Sequence, residues 1–220
     1  MKQPLKLVIF DLDGTLLDTL ADIAVSGNYA LIKCGFHIRL LREYKNFIGN
    51  GTTALIKRML PDLHVTEKYI SEVRDVFVPH YEAHIADNTL PYDGIPELLK
   101  TLQSKGLLLA IASNKPLAST NILIQKLLPD IAFNAVLGPN DDIPTKPNPK
   151  IVHEILKITG LSPEEAIYIG DSDVDMITAS NSGVRSIGVT WGYRSRKELE
   201  TNGANFIACS PDEILDIIST

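Results

Sequence analysis

The sequence predicts an α/β fold in which a doubly wound parallel sheet carries a helical cap inserted after the first strand. Apolar segments of strand length alternate with helical patterns, which is typical of a parallel sheet covered on both faces. The alternation stops between residues 16 and 88, where helical spacing continues without a convincing strand. We therefore expect a Rossmann-like core formed by residues 1–15 and 89–220, with a cap domain formed by residues 16–88.

The first predicted strand is the apolar run 5–10, which ends abruptly at the polar segment 11–15. Asp18 or Thr19 is suited to cap the helix that follows. Further cap helices are expected at 41–47, 53–60 and 69–85. Core strands are predicted at 107–112, 135–137, 167–169, 185–189 and 206–208. Core helices are predicted at 96–105, 116–127, from Lys146 onward, behind Asp171, and at 211–218.

Composition excludes several classes of function. The 220 residues include 21 basic and 27 acidic side chains, for a net charge of −6, and no basic stripe suits nucleic acid. The longest apolar run, 107–112, is far shorter than the roughly 20 residues that span a bilayer. The N-terminal apolar run is also shorter than the about 7–15 residues of a signal peptide. We expect a cytoplasmic protein without a membrane partner, in which Cys34 and Cys209 are reduced and buried.

Polar side chains follow several predicted strands at the point where each strand ends. They are Asp11 and Asp13, Ser113 and Asn114, Lys146, and Asp171 with Asp175. Because ligands bind at the carboxyl ends of parallel strands, these groups are expected to converge at one edge. Carboxylates can hold an oxygen-loving cation, attack phosphorus and move protons, while a lysine balances phosphoryl charge. The pattern predicts phosphoryl transfer.

Four segments in this order resemble the motifs of the haloacid dehalogenase-like hydrolases, and within them the phosphoglycolate-phosphatase-like members. The segments are 10–19, 113–116, 146–149 and 170–176. Two others, 49–51 and 188–193, are similar to segments of the same subgroup. The resemblance extends over the whole chain and implies a phosphoric monoester hydrolase.

The resemblance implies a role for each matching residue. Asp11 would be the nucleophile that forms an aspartyl-phosphate, and Asp13 would protonate the leaving oxygen and then deprotonate water. Lys146 would neutralise the nucleophile and the phosphoryl group, which Ser113 and Asn114 would also bind.

The same resemblance implies a Mg²⁺ cofactor. Asp11, the carbonyl of Asp13 and Asp171 would hold the ion, with Asp175 supporting them directly or through water. Gly14 would let the backbone turn tightly beside the phosphate.

The cap is expected to choose the substrate. Gly49, Asn50 and Gly51 form a turn that would face the strand ends, and Arg42 or Lys45 could reach a substrate carboxylate. The segment 49–54 also fits a dinucleotide-binding fingerprint, but no strand precedes it, so a turn between helices is favoured.

His80 and His84 stand four residues apart on one predicted helix, which is a possible metal pair. Without a third ligand nearby, a structural role is favoured over metal binding.

The sequence predicts a Mg²⁺-dependent phosphatase acting on a small soluble phosphomonoester, phosphoglycolate-like, as a monomer or homodimer. A hexose-phosphate mutase or an inorganic pyrophosphatase of the same superfamily is the alternative. From another class, a non-enzymatic phosphoacceptor or binding module on a receiver-like fold also places acids and a lysine at strand ends. Receivers, however, have no helical insertion after the first strand.

Overall fold

The computed structural model describes residues 4–219. Within them the strands are β1 (Leu7–Phe10), β2 (Leu17–Asp18), β3 (Leu90–Pro91), β4 (Leu108–Ala112), β5 (Ala135–Leu137), β6 (Ala166–Gly170), β7 (Arg185–Val189) and β8 (Phe206–Ala208). The α-helices are α1 (Leu20–Lys33), α2 (Leu41–Phe47), α3 (Gly51–Met59), α4 (Glu67–Ala83), α5 (Ile95–Ser104), α6 (Leu117–Leu127), α7 (Lys150–Thr159), α8 (Asp173–Asn181), α9 (Arg196–Thr201) and α10 (Pro211–Ile218). Single 3₁₀ turns lie at Asp62–His64 and Pro163–Glu165.

Six strands form one parallel sheet in the order β5-β4-β1-β6-β7-β8. β1 lies in the middle, and its last residue, Phe10, is level with Ile111 of β4 and Ile169 of β6. The residues that follow these three strands therefore start from neighbouring points on one edge. The predicted α/β fold class is confirmed.

The side chains of β1 point alternately to the two faces of the sheet, and both faces are covered. All four residues of the strand are buried. Val8 and Phe10 belong to an apolar cluster that also includes α5, α10 and the cap helices, whereas Leu7 and Ile9 belong to a second cluster with α7 and α8. A strand buried on both faces reads as a continuous apolar run, as this one does.

Helices α1 to α4 lie between β2 and β3 and pack against one another. We propose that they act as the cap domain predicted at 16–88. The expectation that this block contains no strand is wrong at its start, because Leu17 and Asp18 form β2 and pair antiparallel with Pro91 and Leu90 of β3. A two-residue strand is too short to produce a detectable alternation in the sequence.

A single carboxylate joins α1 to the chain segment that returns from the cap. Asp22 is 2% exposed and accepts hydrogen bonds from the backbone N–H groups of Asn88 and Thr89 at 3.0 and 2.8 Å. The Asn88 amide and the Thr89 hydroxyl also donate to it, at 2.8 and 2.7 Å. Burial alone raises the pKa of Asp22, but these donors outweigh it and lower the pKa below its usual value.

Two predicted elements differ from the structure. The helix expected from Lys146 begins at Lys150, since Pro147 and Pro149 each disfavour a helical conformation at the residue before them. Helix α9 was not predicted, although Ser195 and Glu198 form a capping box at its start.

The prediction of buried cysteines is wrong for Cys209, which is exposed after the edge strand β8, and Cys34 is half-buried. Both thiols are free. Across residues 4–219, no helix has the length and apolar character needed to cross a membrane.

Candidate active site

The ends of the three central strands bring the predicted acids together. Asp11 follows β1, Ser113 follows β4 and Asp171 follows β6, while Asp175 lies in the first turn of α8. Oxygen atoms of Asp11, Asp171 and Asp175 lie within 4.8 Å of one another, and all three residues are buried. The acids that are distant in sequence thus form one cluster at the carboxyl edge of the sheet.

Lys146 bridges two of these acids. Its Nζ lies 2.8 Å from Oδ1 of Asp11 and 2.7 Å from Oδ1 of Asp175, and it donates to the hydroxyl of Tyr168 at 2.9 Å. Burial alone would lower the pKa of Lys146, but Asp11 and Asp175 raise it well above its usual value. The ammonium is therefore held in its charged form.

Negative charge is concentrated around Asp11 and Asp171. The pKa of Asp11 is raised to about 7, mainly by burial and also by the charges of Asp175 and Asp13, while Lys146 opposes the rise. Burial also raises the pKa of Asp171 well above its usual value, and the charges of Asp175 and Asp11 add to this effect. A nearby cation would relieve this repulsion.

Backbone and side-chain donors fix Asp171 in place. The Thr15 hydroxyl donates to Oδ1 at 3.2 Å, and the Tyr193 N–H donates to Oδ2 at 2.7 Å. Gly14 passes directly beside this carboxylate with φ = +91°, and a Cβ built on it would lie 2.5 Å from Oδ2 of Asp171. Only glycine both adopts this conformation readily and leaves room for the carboxylate.

The charges of the cluster are suited to a divalent cation. The three clustered acids, Asp11, Asp171 and Asp175, lie beside the ammonium of Lys146. When all three are ionised, their charges exceed that of this lysine by two. Carboxylate oxygens without sulfur or histidine are the donors that hard cations prefer.

The two carboxylate oxygens of Asp13 have different surroundings, because a buried lysine contacts only one of them. Oδ2 of Asp13 lies 3.0 Å from Nζ of Lys115, whereas Oδ1 is buried without a hydrogen-bond partner among residues 4–219. Lys115 also donates to the hydroxyl of Tyr81, on cap helix α4, at 2.9 Å. Burial opposes the charge on Lys115, but Asp13 and Tyr81 together raise its pKa above the usual value.

Ser113 and Asn114 have different surroundings. The Ser113 side chain lines the cavity above the cluster, and its oxygen accepts from the N–H of Lys115 at 3.2 Å. The Asn114 amide instead donates to the carbonyl oxygens of Gly49 and Lys146, at 2.9 and 3.1 Å, and accepts from the Lys146 N–H at 2.7 Å. Its side chain thus connects the cap turn to the loop that carries Lys146.

The predicted turn lies between α2 and α3 and covers the strand ends. Gly49 and Gly51 line the cavity, and Gly51 has φ = +82°. Asn50 lines a shallow groove outside that cavity, and its Oδ1 accepts from Arg58 at 2.6 Å. The geometry therefore assigns Asn50 to shaping the turn and the two glycines to the cavity wall.

A cation from the core also holds this turn. Arg194, in the loop after β7, donates to the carbonyl oxygens of Lys45 and Ile48 and lies 3.4 Å from Asp173. Arg42 and Lys45 themselves are exposed and do not line the cavity. The expectation that Arg42 or Lys45 reaches a substrate is therefore wrong for the described position of the cap.

The cavity has a polar floor and an apolar wall. Asp11, Asp13 and Ser113 lie at the strand ends, and the cap side is mostly apolar. The apolar lining consists of Ile23, Ile48, Leu55 and Phe77.

The histidine pair has local partners. His80 contacts the hydroxyl of Ser26 at 3.0 Å, and His84 contacts the carboxylate of Asp87 at 2.7 Å. The metal-type cluster found within residues 4–219 contains neither histidine. This arrangement agrees with the structural role that the sequence favoured.

Four residues of the site were missed by the sequence reasoning, namely Tyr81, Lys115, Tyr168 and Arg194. Lys115 stands inside the second motif, so its place in the motif was the available signal. Tyr168 lies in a strand and Arg194 in a loop, and the sequence around them does not mark either residue as part of a site. Only their tertiary contacts place them there.

The chain is similar to known proteins over most of its length. The family model described as haloacid dehalogenase-like hydrolase matches residues 8–189. A phosphoglycolate phosphatase from Vibrio vulnificus is 31% identical over 232 residues, covering 99% of this chain and 97% of that protein. A phosphoglycolate phosphatase from Cereibacter sphaeroides is 37% identical over 194 residues, covering 85% of this chain and 86% of that protein.

A solved structure from Lactobacillus delbrueckii subsp. bulgaricus has a TM-score of 0.92 at 34% identity, covering 98% of this chain and 99% of that one. The chain belongs to the haloacid dehalogenase-like hydrolase family. The enzyme class that the resemblance implied, phosphoric monoester hydrolase, is confirmed. The receiver-like alternative finds no support in these matches.

Proposed function

We propose that this enzyme is a Mg²⁺-dependent phosphatase that hydrolyses a small, phosphoglycolate-like phosphomonoester through an aspartyl-phosphate. The observation that carries the proposal is the position of Asp11. Its carboxylate lies at the cavity floor, one oxygen 2.8 Å from Lys146, with acid oxygens of Asp171 and Asp175 within 4.8 Å. The names of the relatives support the substrate class.

The buried acids fit Mg²⁺. Asp11, Asp171 and the carbonyl of Asp13 are the ligands implied by the family resemblance, and the close approach of Asp175 adds it to the candidate set. When ionised, these three acids exceed the charge of Lys146 by two, which matches the charge of the ion. When bound, Mg²⁺ supplies positive charge that stabilises the phosphoryl oxygens and orients them.

The proposed reaction consists of two successive displacements at phosphorus. In the first, an Asp11 oxygen bonds to phosphorus as the ester P–O bond breaks, and Asp13 gives a proton to the leaving oxygen. In the second, Asp13 takes a proton from water as that water attacks phosphorus, which releases phosphate and restores Asp11. Oδ1 of Asp13 suits this role because it is the oxygen not bound by Lys115.

Lys146 would offset the charge beside the phosphoryl group, and Ser113 would donate a hydrogen bond to it. Lys146 carries a full charge beside Asp11, so it offsets the negative charge that accumulates when two anions meet. The Ser113 hydroxyl lines the same cavity and has a hydrogen to donate.

The turn at 49–51 would contribute to the choice of leaving group. Gly49 and Gly51 line the cavity on the cap side, opposite the acids. Arg194 and Asn114 both bond to carbonyl oxygens of this turn region from the core, so cap position and site geometry are linked. Closure of such an element excludes water from the reaction.

A phosphate-release assay tests this function. The substrates are 2-phosphoglycolate, hexose phosphates and pyrophosphate, each with Mg²⁺, and Asp11→Asn is the matched inactive variant. We expect release from a small phosphomonoester and its loss in Asp11→Asn. Preferred release from pyrophosphate would support the pyrophosphatase alternative, and isomerisation of a hexose phosphate would support the mutase.

A further inference from the structure

Lys115 is a buried cation in the active cavity that the two displacements do not use. Its side chain is 4% exposed, and it lines the cavity together with Asp13 and Tyr81. An ammonium has three N–H donors, and Asp13 and Tyr81 account for two of them within the described residues. A third donor is therefore available to a ligand in the cavity.

The other two cations near the cavity are committed to protein groups. Lys146 bonds to Asp11, Asp175 and Tyr168. Arg194 donates to two cap carbonyl oxygens and lies beside Asp173. Among residues 4–219, Lys115 is thus the cation of this cavity that pairs with Asp13, the proposed proton donor to the leaving group.

Distances place Lys115 on the leaving-group side. A leaving oxygen protonated by Asp13 must lie about 2.6–3.2 Å from its Oδ1. Nζ of Lys115 lies 3.0 Å from the other oxygen of the same carboxyl group, so it is at most about 8 Å from that leaving oxygen. A carboxylate attached one carbon from the ester oxygen would contact an ammonium that lies within about 6 Å of that oxygen.

The apolar side chains of the cavity wall favour a charged leaving group over one that carries several hydroxyl groups. Ile23, Leu55 and Phe77 line the cavity, and an ion pair beside apolar side chains is stronger than one in water. A hydroxyl group that lay against these three side chains would lack a hydrogen-bond partner there, and its burial would cost free energy. Charge and wall together favour a short acid.

We propose that Lys115 determines specificity by binding a carboxylate located one carbon from the ester oxygen of the substrate. This inference rests on the proposed phosphatase function and assigns the recognition of the leaving group to a core residue in place of Arg42 or Lys45. Tyr81 then orients the ammonium from the cap. The cap would contribute a positioning contact, and the core would contribute the charge.

Binding of two non-hydrolysable phosphonates tests the proposal without turnover. 3-Phosphonopropionate carries the carboxylate in the required place, and propylphosphonate replaces it with a methyl group. Titration calorimetry with Mg²⁺ is expected to give a Kd at least about tenfold lower for 3-phosphonopropionate. In Lys115→Met this ratio should collapse toward one, and Lys115→Arg should restore part of it. Lys126→Met, an exposed change on α6, is the matched control.

The wild-type ratio is decisive even if Lys115→Met fails to fold. Equal affinity of wild-type protein for the two phosphonates would overturn the proposal. Equal weakening of both ligands in Lys115→Met would also overturn it, because it would mean that Lys115 acts only through Asp13. Failure of the proposed function is distinguishable, since it would appear as absent phosphate release in the substrate panel while the binding ratio persisted.

Discussion

Nζ of Lys146 lies 2.8 Å from the carboxylate of Asp11, although the two residues are 135 positions apart in the sequence. The same ammonium lies 2.7 Å from Asp175, in the helix that follows β6. One side chain therefore joins an acid that follows β1 to an acid in α8. Its charge offsets the repulsion between the two carboxylates.

Replacing Lys146 by Met should lower kcat/KM by about 10²–10³-fold, the usual cost of removing a preorganised electrostatic contact. The change removes the cation that Asp11 and Asp175 share. The two acids then repel each other and the phosphoryl group. Steady-state phosphate release measures the effect. Lys150→Met, an exposed lysine at the start of α7, is the control and should stay near wild type. A loss of less than threefold in Lys146→Met would remove Lys146 from the proposed mechanism.

Removal of divalent metal should abolish turnover, and Mg²⁺ should restore it while Ca²⁺ does not. Mg²⁺ keeps six-coordinate geometry, whereas the larger Ca²⁺ accepts extra oxygens and would draw both oxygens of Asp11 into its shell. Mg²⁺ should also raise the melting temperature, because a ligand at 100 times its Kd stabilises the folded state by about 2.7 kcal/mol.

The stabilisation by Mg²⁺ should shrink in Asp171→Asn and persist in Asp141→Asn, where an exposed loop acid is changed outside the cluster. Thermal melts with and without Mg²⁺ measure this difference. Equal stabilisation of both variants would show that the ion binds elsewhere.

Asp22→Asn should lower the free energy of unfolding by about 1–3 kcal/mol, because it removes a buried carboxylate that accepts four donors from Asn88 and Thr89. The folded-state pKa of Asp22 lies below its usual value, so its contribution is present above about pH 4, the unfolded pKa, and is lost as pH falls through the folded pKa. Urea titrations at pH 7 and pH 3 measure the difference.

The difference between wild type and Asp22→Asn should therefore be largest near neutral pH and smaller at pH 3. Asp75→Asn, an exposed acid on α4, should remain within about 0.5 kcal/mol of wild type at both values. A difference for Asp22→Asn that grew on acidification would contradict the lowered pKa.

Asn50→Ala should change the ranking of phosphomonoesters by at least about threefold and spare acetyl phosphate, whose leaving group is small. The variant removes the 2.6 Å hydrogen bond from Arg58 and relaxes the turn whose glycines line the cavity. Asn46→Ala keeps the carbonyl that Arg58 also contacts and is the control. Equal losses for every substrate, acetyl phosphate included, would make the turn structural.

Much of this fold could be predicted because its strands are buried on both faces. The predicted segments 107–112 and 167–169 lie within one residue of the bounds of β4 and β6, since continuous apolar runs bounded by turns leave little choice of boundary. The start of α7 was misplaced because two prolines override the apolar pattern, and β2 escaped because two residues carry no periodicity.

The acids of the candidate site could also be predicted, because each follows a strand directly and parallel strands end at one edge. The contacts around Lys115 could not, since Tyr81 lies on a cap helix and meets the lysine only through tertiary packing. Asn114 presents a related case. Its residue type suits a phosphate ligand, but its side chain is committed to Gly49 and Lys146.

The most direct test of the proposed chemistry is to identify the acid that becomes phosphorylated. Enzyme mixed with substrate and Mg²⁺ is quenched in acid during the first turnover, reduced with borohydride and digested, and the peptides are analysed by mass spectrometry. Reduction converts an aspartyl-phosphate to homoserine, which we expect at position 11 in wild type and not in Asp11→Asn. Homoserine at another acid, or phosphate released in that turnover without modification at position 11, would contradict the assignment of Asp11 as the nucleophile.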